Sequence, residues 1–204
     1  MDWLQNIDQI ITAIGVIVIA WWGATQKGRD LKAQREHEAE LKKAEEKYQR
    51  RNDHSMIVYN TLHNIRVELG ADRVYIVQPH PLGNESLLTI YYEVRKSGVE
   101  PMREAVNELP MSDVADFCGV MHDNLFMYIS DIDKQVSDPF AKSLLATHGT
   151  EQVFIKRLSD ARHDWVGSIF AEFSHDPEVS EAEAKAEMHR AALAIQYILP
   201  EIKA

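Results

Sequence analysis

The nine histidines, the single cysteine and the acidic residues of this 204-residue chain do not form a spacing typical of catalysis or metal binding. No His-Glu-x-x-His segment or paired His/Cys spacing indicates a zinc site. Asp131 and Asp133 alternate as in a calcium loop, but the glycine and distal glutamate of such a loop are missing. Phosphate-binding glycine loops and nucleophile elbows are also absent. We therefore expect no catalytic residue, no metal and no cofactor, and predict that the chain is not an enzyme.

Two histidine–aspartate neighbours, His163-Asp164 and His175-Asp176, flank the last strand of a predicted hairpin. Such a pair can relay protons, but we expect these residues to be solvated loop ends. His80 has a proline on either side, which predicts that it lies in a loop.

The charge of the chain is uneven and excludes one class of partner. The net charge is −10, and residues 55–204 alone carry thirteen Lys/Arg against twenty-three Asp/Glu. Nucleic-acid binding requires a basic surface, so we expect no nucleic-acid partner. The lone Cys118 cannot form an internal disulfide bond.

Residues 10–24 contain no charged side chain. As a helix they cover about 22 Å, which a thin bilayer can accommodate. The stretch predicts a single transmembrane anchor over residues 1–25, although a buried core helix and a cleaved signal peptide are alternatives. The residues assigned to the anchor are Ile10, Ile14, Ile17, Trp21 and Trp22.

Basic residues follow the apolar stretch and acidic residues precede it, which sets the expected orientation. Lys27, Arg29 and Lys32 come after the stretch, whereas Asp2 and Asp8 come before it. The positive-inside rule then predicts a single-pass protein of the inner (cytoplasmic) membrane with its C-terminal domain in the cytoplasm.

Residues 26–55 are predicted to form a long, charged helical stalk. No glycine or proline occurs between Gly28 and Gly70, and Glu38 with Lys42 forms a favourable i,i+4 pair. A solvated single-helix spacer and a loosely coiled homo-oligomer both fit this pattern. The polar cluster at residues 52–55 predicts that a new helix starts there.

Residues 56–204 alternate between strand and helix patterns, which predicts one α+β domain. Hairpin connections make its sheet mostly antiparallel, with the first and last helices on one face and the 97–149 connection on the other. The predicted elements are a helix ending at Gly70, strands at 74–77 and 87–94, a helix capped by Ser112, a strand at 126–129, a helix from Asp138-Pro139 to Gly149, strands at 153–158 and 165–173, and a helix from the Ser180/Glu183 capping box to Pro200.

Alternation assigns the side chains of the second strand to two faces. Leu88, Ile90, Tyr92 and Val94 are expected to share one face of the sheet, since strand side chains alternate with a period of two.

The domain resembles the GAF family over about residues 56–199. The resemblance rests on the element order and on the segment Asp164–Phe173, in which a glycine follows an aromatic and a small apolar residue. It implies a GAF-like domain that binds a cyclic nucleotide, a tetrapyrrole, a small metabolite or only a partner protein. Cys118 has no neighbouring histidine of the bilin-binding type, so no cofactor attachment is carried over.

A GAF-type ligand would lie between the sheet and the 97–149 connection. The alternative is that the aromatic residues there simply fill a core. The candidate lining residues are Tyr75, Tyr91, Phe117, Met121, Tyr128, Phe154 and Phe170.

The whole-length order of anchor, stalk and small α+β domain is similar to T-type holins of T-even-like phages. Gly167-Ser168-Ile169, leading to a Glu- and Ala-rich helix, resembles the end of their soluble domain. This resemblance implies a non-enzymatic host-lysis protein whose periplasmic domain controls when the membrane lesion forms, with a regulatory protein or a small-molecule ligand as the expected partner. The alternative is a membrane-tethered cytoplasmic sensor or scaffold that binds a small molecule or a partner protein.

Overall fold

The computed structural model describes residues 37–81 and 86–199, within two compact units, Met1–Arg50 and Arg51–Ala204. In the first unit, residues 37–50 are helical and exposed. The predicted anchor, with Ile10, Ile14, Ile17, Trp21 and Trp22, lies outside the described residues. Within the ranges just given, no helix combines the length and apolar character needed to cross a bilayer.

The second unit is built on a six-stranded antiparallel sheet flanked by helices, which confirms the α+β prediction. The strand order is β3-β2-β1-β6-β5-β4, and every neighbouring pair is antiparallel. The strands are Arg73–His80 (β1), Leu87–Arg95 (β2), Leu109–Pro110 (β3), Phe126–Ile129 (β4), Gln152–Ser159 (β5) and Trp165–Phe173 (β6).

One face of the sheet is covered by α1 (residues 51–69) and by α5 (Glu181–Ile195). Their apolar stripes enter one core, which includes Leu62, Ile65 and Met188, all fully buried. The predicted Ser180/Glu183 capping box starts α5. The prediction of a helix start at residues 52–55 is wrong, because these residues lie within helical turns.

The other face is covered by shorter segments of the 96–151 connection. A 3-10 helix at Met111–Val114 runs directly into α2 (Ala115–Asp123), so Ser112 is not the N-cap that the sequence predicts. The short α3 (Ile132–Gln135) and α4 (Pro139–Thr147) follow. Asp138 caps α4 as predicted, accepting hydrogen bonds from the backbone N–H groups of residues 140 and 141.

A β-bulge changes which face the second half of β2 presents. Ile76 pairs with Tyr92 and Val77 pairs with Ile90, which leaves Tyr91 as an extra residue. Leu88 and Ile90 therefore enter the α2-side core, whereas Tyr92 and Val94 pack on the α1/α5 side. The prediction of one shared face is wrong because it assumed uninterrupted alternation.

His80 belongs to β1 rather than to a loop. Its Nε2 lies 2.9 Å from the Thr89 hydroxyl of β2, and the residue is buried. Pro79 also pairs in this strand, opposite Leu88, and only Pro81 lies beyond its end.

Candidate functional site

A small apolar cavity lies between β1, β6 and α2. The Tyr75 and Phe170 rings stack with centroids 5.0 Å apart, and the Phe117 centroid is 6.3 Å from that of Phe170. The cavity has a volume of about 40 Å³ and is also lined by Met121 and Leu145. Small-molecule pockets are usually about 300–1,000 Å³. Apolar side chains therefore nearly fill this space.

The structure divides the seven predicted lining residues between the two faces of the sheet. Tyr75, Phe117, Met121 and Phe170 meet at the small cavity. Tyr91, Tyr128 and Phe154 instead pack on the α1/α5 side, where the Tyr128 and Phe154 centroids lie 4.5 Å apart. Phe154 lies between two residues of the α2-side core, Val153 and Ile155, so alternation turns it to the opposite face.

A larger groove of about 580 Å³ runs along the outer side of α2. Here the His122 and Trp165 rings lie edge to face at 6.3 Å, and the Trp165 indole N–H donates to the Ser168 hydroxyl at 3.0 Å. Gly119 contributes to the open space, since a Cβ added there would contact nothing within 4 Å. The groove lining is Met111, Ser112, Ala115, Cys118, Gly119, His122, Asp164 and Trp165.

Cys118 lies between this groove and the core but is not poised as a nucleophile. The residue is buried on α2. Burial, and secondarily the Asp138 carboxylate, raise the pKa of its thiol to about 11. A neutral thiol is a weak nucleophile at neutral pH, so we assign Cys118 to packing and lining.

A buried polar network lies on the α2 side of the sheet, around Arg73 of β1 and Glu172 of β6. The Arg73 guanidinium forms an ion pair with Glu172, and both side chains are 2% exposed. Glu172 also accepts hydrogen bonds from the Tyr75 and Thr150 hydroxyls. The Arg73 guanidinium donates to the Glu100 carbonyl as well, so it joins β1 and β6 to the loop that follows β2.

The electrostatics of this network favour its charged form. Burial lowers the pKa of Arg73, but the facing Glu172 carboxylate, together with Tyr75 and Glu93, raises it on balance. Burial, and then Glu172, raise the pKa of Tyr75 well above its usual value. Tyr75 therefore stays a neutral donor and connects the cavity to the ion pair.

The remaining acidic and histidine candidates have structural partners. Asp131 caps α3 by accepting a hydrogen bond from the Lys134 N–H at 3.0 Å. His175 lies 3.3 Å from Asp72 after the end of β6, and His163 lies in the loop between β5 and β6, where its carbonyl accepts a hydrogen bond from the Arg157 guanidinium at 2.9 Å. Over residues 37–81 and 86–199, no group of three or more His, Cys, Asp or Glu is arranged to hold a metal ion.

The fold of the second unit is that of GAF domains. GAF3 from Slr1393 of Synechocystis sp. PCC6803, in its photoproduct state, superposes with a TM-score of 0.58 at 16% identity, covering 70% of this chain and 90% of that one. The blue-light-absorbing PixJ GAF domain of Thermosynechococcus elongatus gives 0.57 at 17% identity, covering 71% and 86%. A phycoerythrobilin-bound GAF domain from a cyanobacterial phytochrome gives 0.56 at 17% identity, covering 76% and 90%.

No protein-family model and no curated protein matches the sequence. The structural matches define the fold: Arg51–Ala204 contains a GAF-like α+β domain, as the element order and the Asp164–Phe173 segment predict.

Proposed function

We propose that this protein is a non-enzymatic, membrane-tethered sensor or scaffold whose GAF-like domain is controlled by binding on its α2 side. The groove of about 580 Å³ beside α2 is the observation that supports this function. Its volume suits a small molecule, and His122, Asp164 and Ser112 add polar groups to a largely apolar lining.

The groove suits a ligand with a flat apolar part. Trp165 provides an aromatic wall, and the neighbouring His122 ring provides a polar edge. Two of the solved GAF domains above are described as light-absorbing or bilin-bound. For this chain we propose non-covalent binding, because the raised pKa of Cys118 keeps its thiol neutral.

α2 provides a route from the groove to the rest of the domain. Its Phe117 and Met121 side chains line the apolar cavity, whereas Gly119 and His122 line the groove. A ligand that moves α2 would alter the contact between Phe117 and Phe170, which stacks on Tyr75.

The test is ligand binding by the full-length chain in detergent micelles, with and without a blocked groove. Biliverdin and cyclic GMP are the probes, and the midpoint of thermal unfolding is the readout. Gly119→Leu adds bulk to the groove at a position where a Cβ would contact nothing within 4 Å, and Ala182→Leu on the exposed α5 surface is the matched control. We expect a probe to raise the midpoint in wild type and in Ala182→Leu but not in Gly119→Leu.

An equal shift in Gly119→Leu would exclude the groove as the binding site. No shift with either probe in wild type would count against these ligand classes and favour a scaffold that binds a partner protein.

The T-type holin function stays a prediction, since the anchor on which it depends lies outside the described residues. A reporter fused to the C-terminus separates the two functions. The sensor proposal expects a cytoplasmic reporter, in line with the basic residues that follow residue 24. A periplasmic reporter, together with abrupt loss of membrane potential on expression, would instead support the holin.

A further inference from the structure

β4 forms one end of the sheet and pairs only with β5. The backbone N–H of Arg157 donates to the Leu125 carbonyl at 3.2 Å. This hydrogen bond shows which residues of β4 direct their backbone groups towards β5. Antiparallel alternation then turns the backbone N–H and C=O groups of Phe126 and Tyr128 away from β5. No residue within 37–81 or 86–199 donates to or accepts from these outward groups.

β4 is short, but its own residues lack the charges and prolines that often prevent further strand pairing. Residues 125–129 read Leu-Phe-Met-Tyr-Ile and contain no charge, proline or glycine. Leu125, just before β4, is 65% exposed. Proteins commonly protect edge strands with charged side chains, prolines or bulges. β4 therefore offers a short, open template for an added strand.

Two lysines lie beside this edge on the α5 side. The Lys185 ammonium is 5.9 Å from the centroid of the Phe126 ring, and the Lys156 ammonium donates to the Leu125 carbonyl at 3.0 Å. Among the side chains that the structure describes, no carboxylate lies within ion-pair distance of either lysine.

The two lysines form a repulsive pair within an acidic chain. Burial, and then the charges of Lys185 and Arg157, lower the pKa of Lys156. A carboxylate placed next to Phe126 would relieve this repulsion, since opposite charges attract across a partly desolvated surface.

We propose that the β4 edge binds an extended acidic segment of a partner protein as a seventh strand of the sheet. Backbone hydrogen bonds to Phe126 and Tyr128 would hold the segment. A carboxylate on its α5 side would face Lys156 and Lys185 beside Phe126, whereas the Tyr128 end lies near Asp176 and Glu181 and would take an uncharged residue. This interaction is independent of a ligand in the α2 groove.

The test uses the full-length chain in detergent micelles and the peptide Thr-Glu-Val-Glu-Val-Glu-Thr, with calorimetry as the readout. Two matched peptides serve as controls: one has lysine in place of glutamate, and the other is N-methylated at every internal amide. We expect only the first peptide to bind, because it alone combines negative charge with strand pairing.

Charge reversal of the protein then tests the lysines. We expect Lys185→Glu to lower the affinity for the acidic peptide by about tenfold and to raise the affinity for the lysine peptide. Arg103→Glu makes the same change in net charge on an exposed residue in the connection after β2 and should leave both affinities unchanged. Lys156→Met is a second variant that removes the other charge.

Three results would overturn the proposal: no binding of the acidic peptide to the folded chain, equal binding of the N-methylated peptide, or equal weakening by Lys185→Glu and Arg103→Glu. The second would show attraction without strand pairing, and the third would show a general charge effect.

Discussion

The two faces of the sheet are packed in different ways. The α1/α5 face is covered by helical segments of nineteen and fifteen residues, whose apolar stripes meet a continuous core. The α2 face is covered by segments of four to nine residues. Both the apolar cavity and the groove border α2. Short helices bury less surface each, so the α2 face can change locally while the other face stays intact.

This contrast suggests a division of roles within one GAF-like domain. In the proposed sensor, the α1/α5 face would provide the stable support, and the α2 face would provide the space and a movable wall. Gly119 strengthens the contrast, because a glycine inside a helix lowers its stability by about 1 kcal/mol relative to alanine.

The largest effect is expected at the polar end of the α2 face. Arg73→Leu would leave the buried Glu172 carboxylate without its cation and should lower the free energy of unfolding by about 3–5 kcal/mol. Urea unfolding followed by circular dichroism measures this loss. The double variant with Glu172→Leu should be more stable than the single variant. A loss below about 1 kcal/mol in the single variant would contradict a structural role for the pair.

Matched truncations on the two faces should differ in cost. Ile65→Ala on the α1/α5 face should lower the free energy of unfolding by about 3–4 kcal/mol, because the side chain is fully buried in a closed core. Leu145→Ala should cost only about 2 kcal/mol, because this leucine borders an existing cavity and loses fewer contacts. Equal costs in the same urea experiment would remove the proposed contrast in packing.

A smaller, pH-dependent effect is expected at Asp72. Burial raises the pKa of this carboxyl, but hydrogen bonds from Lys96 and Ser174 outweigh burial and lower it from 3.8 to about 2. The carboxylate therefore stabilises the fold above about pH 4, and this contribution is lost as the pH falls towards 2. Solvent screening limits it to about 1 kcal/mol.

The check is the difference in unfolding free energy between wild type and Asp72→Asn. It should be about 1 kcal/mol at pH 6, should shrink as the pH falls through 2 and should vanish only below that pH. A difference that does not change with pH would show that the carboxylate charge is not responsible.

Much of the fold could be predicted because its signals are local. The capping box at Ser180, the Asp138-Pro139 helix start and strand β4 follow from short patterns, and the structure confirms them. The bulge at Tyr91 has no comparable signal, because it depends on how β2 pairs with β1. The two-residue strand β3 has no local sequence signal either, since it exists only through its pairing with β2.

The candidate site was less predictable because distant segments form it. Trp165 and Gly119 meet across two separate segments, and Arg73 pairs with a residue 99 positions away. Aromatic residues at strand spacing indicated burial but not the face, so only four of the seven candidates reached the α2 side. The i,i+4 spacing of Cys118 and His122, which places both on one side of α2, is a local pattern from which this groove could have been predicted.

Hydrogen–deuterium exchange of the full-length chain tests the contrast between the two faces most directly. If the α2 face is the movable one, backbone amides of Ala115–Asp123 should exchange at least about tenfold faster than the buried turns of α5, and a ligand that raises the unfolding midpoint should protect α2 selectively. Equal protection of α2 and α5 in the free protein, unchanged by that ligand, would contradict the account.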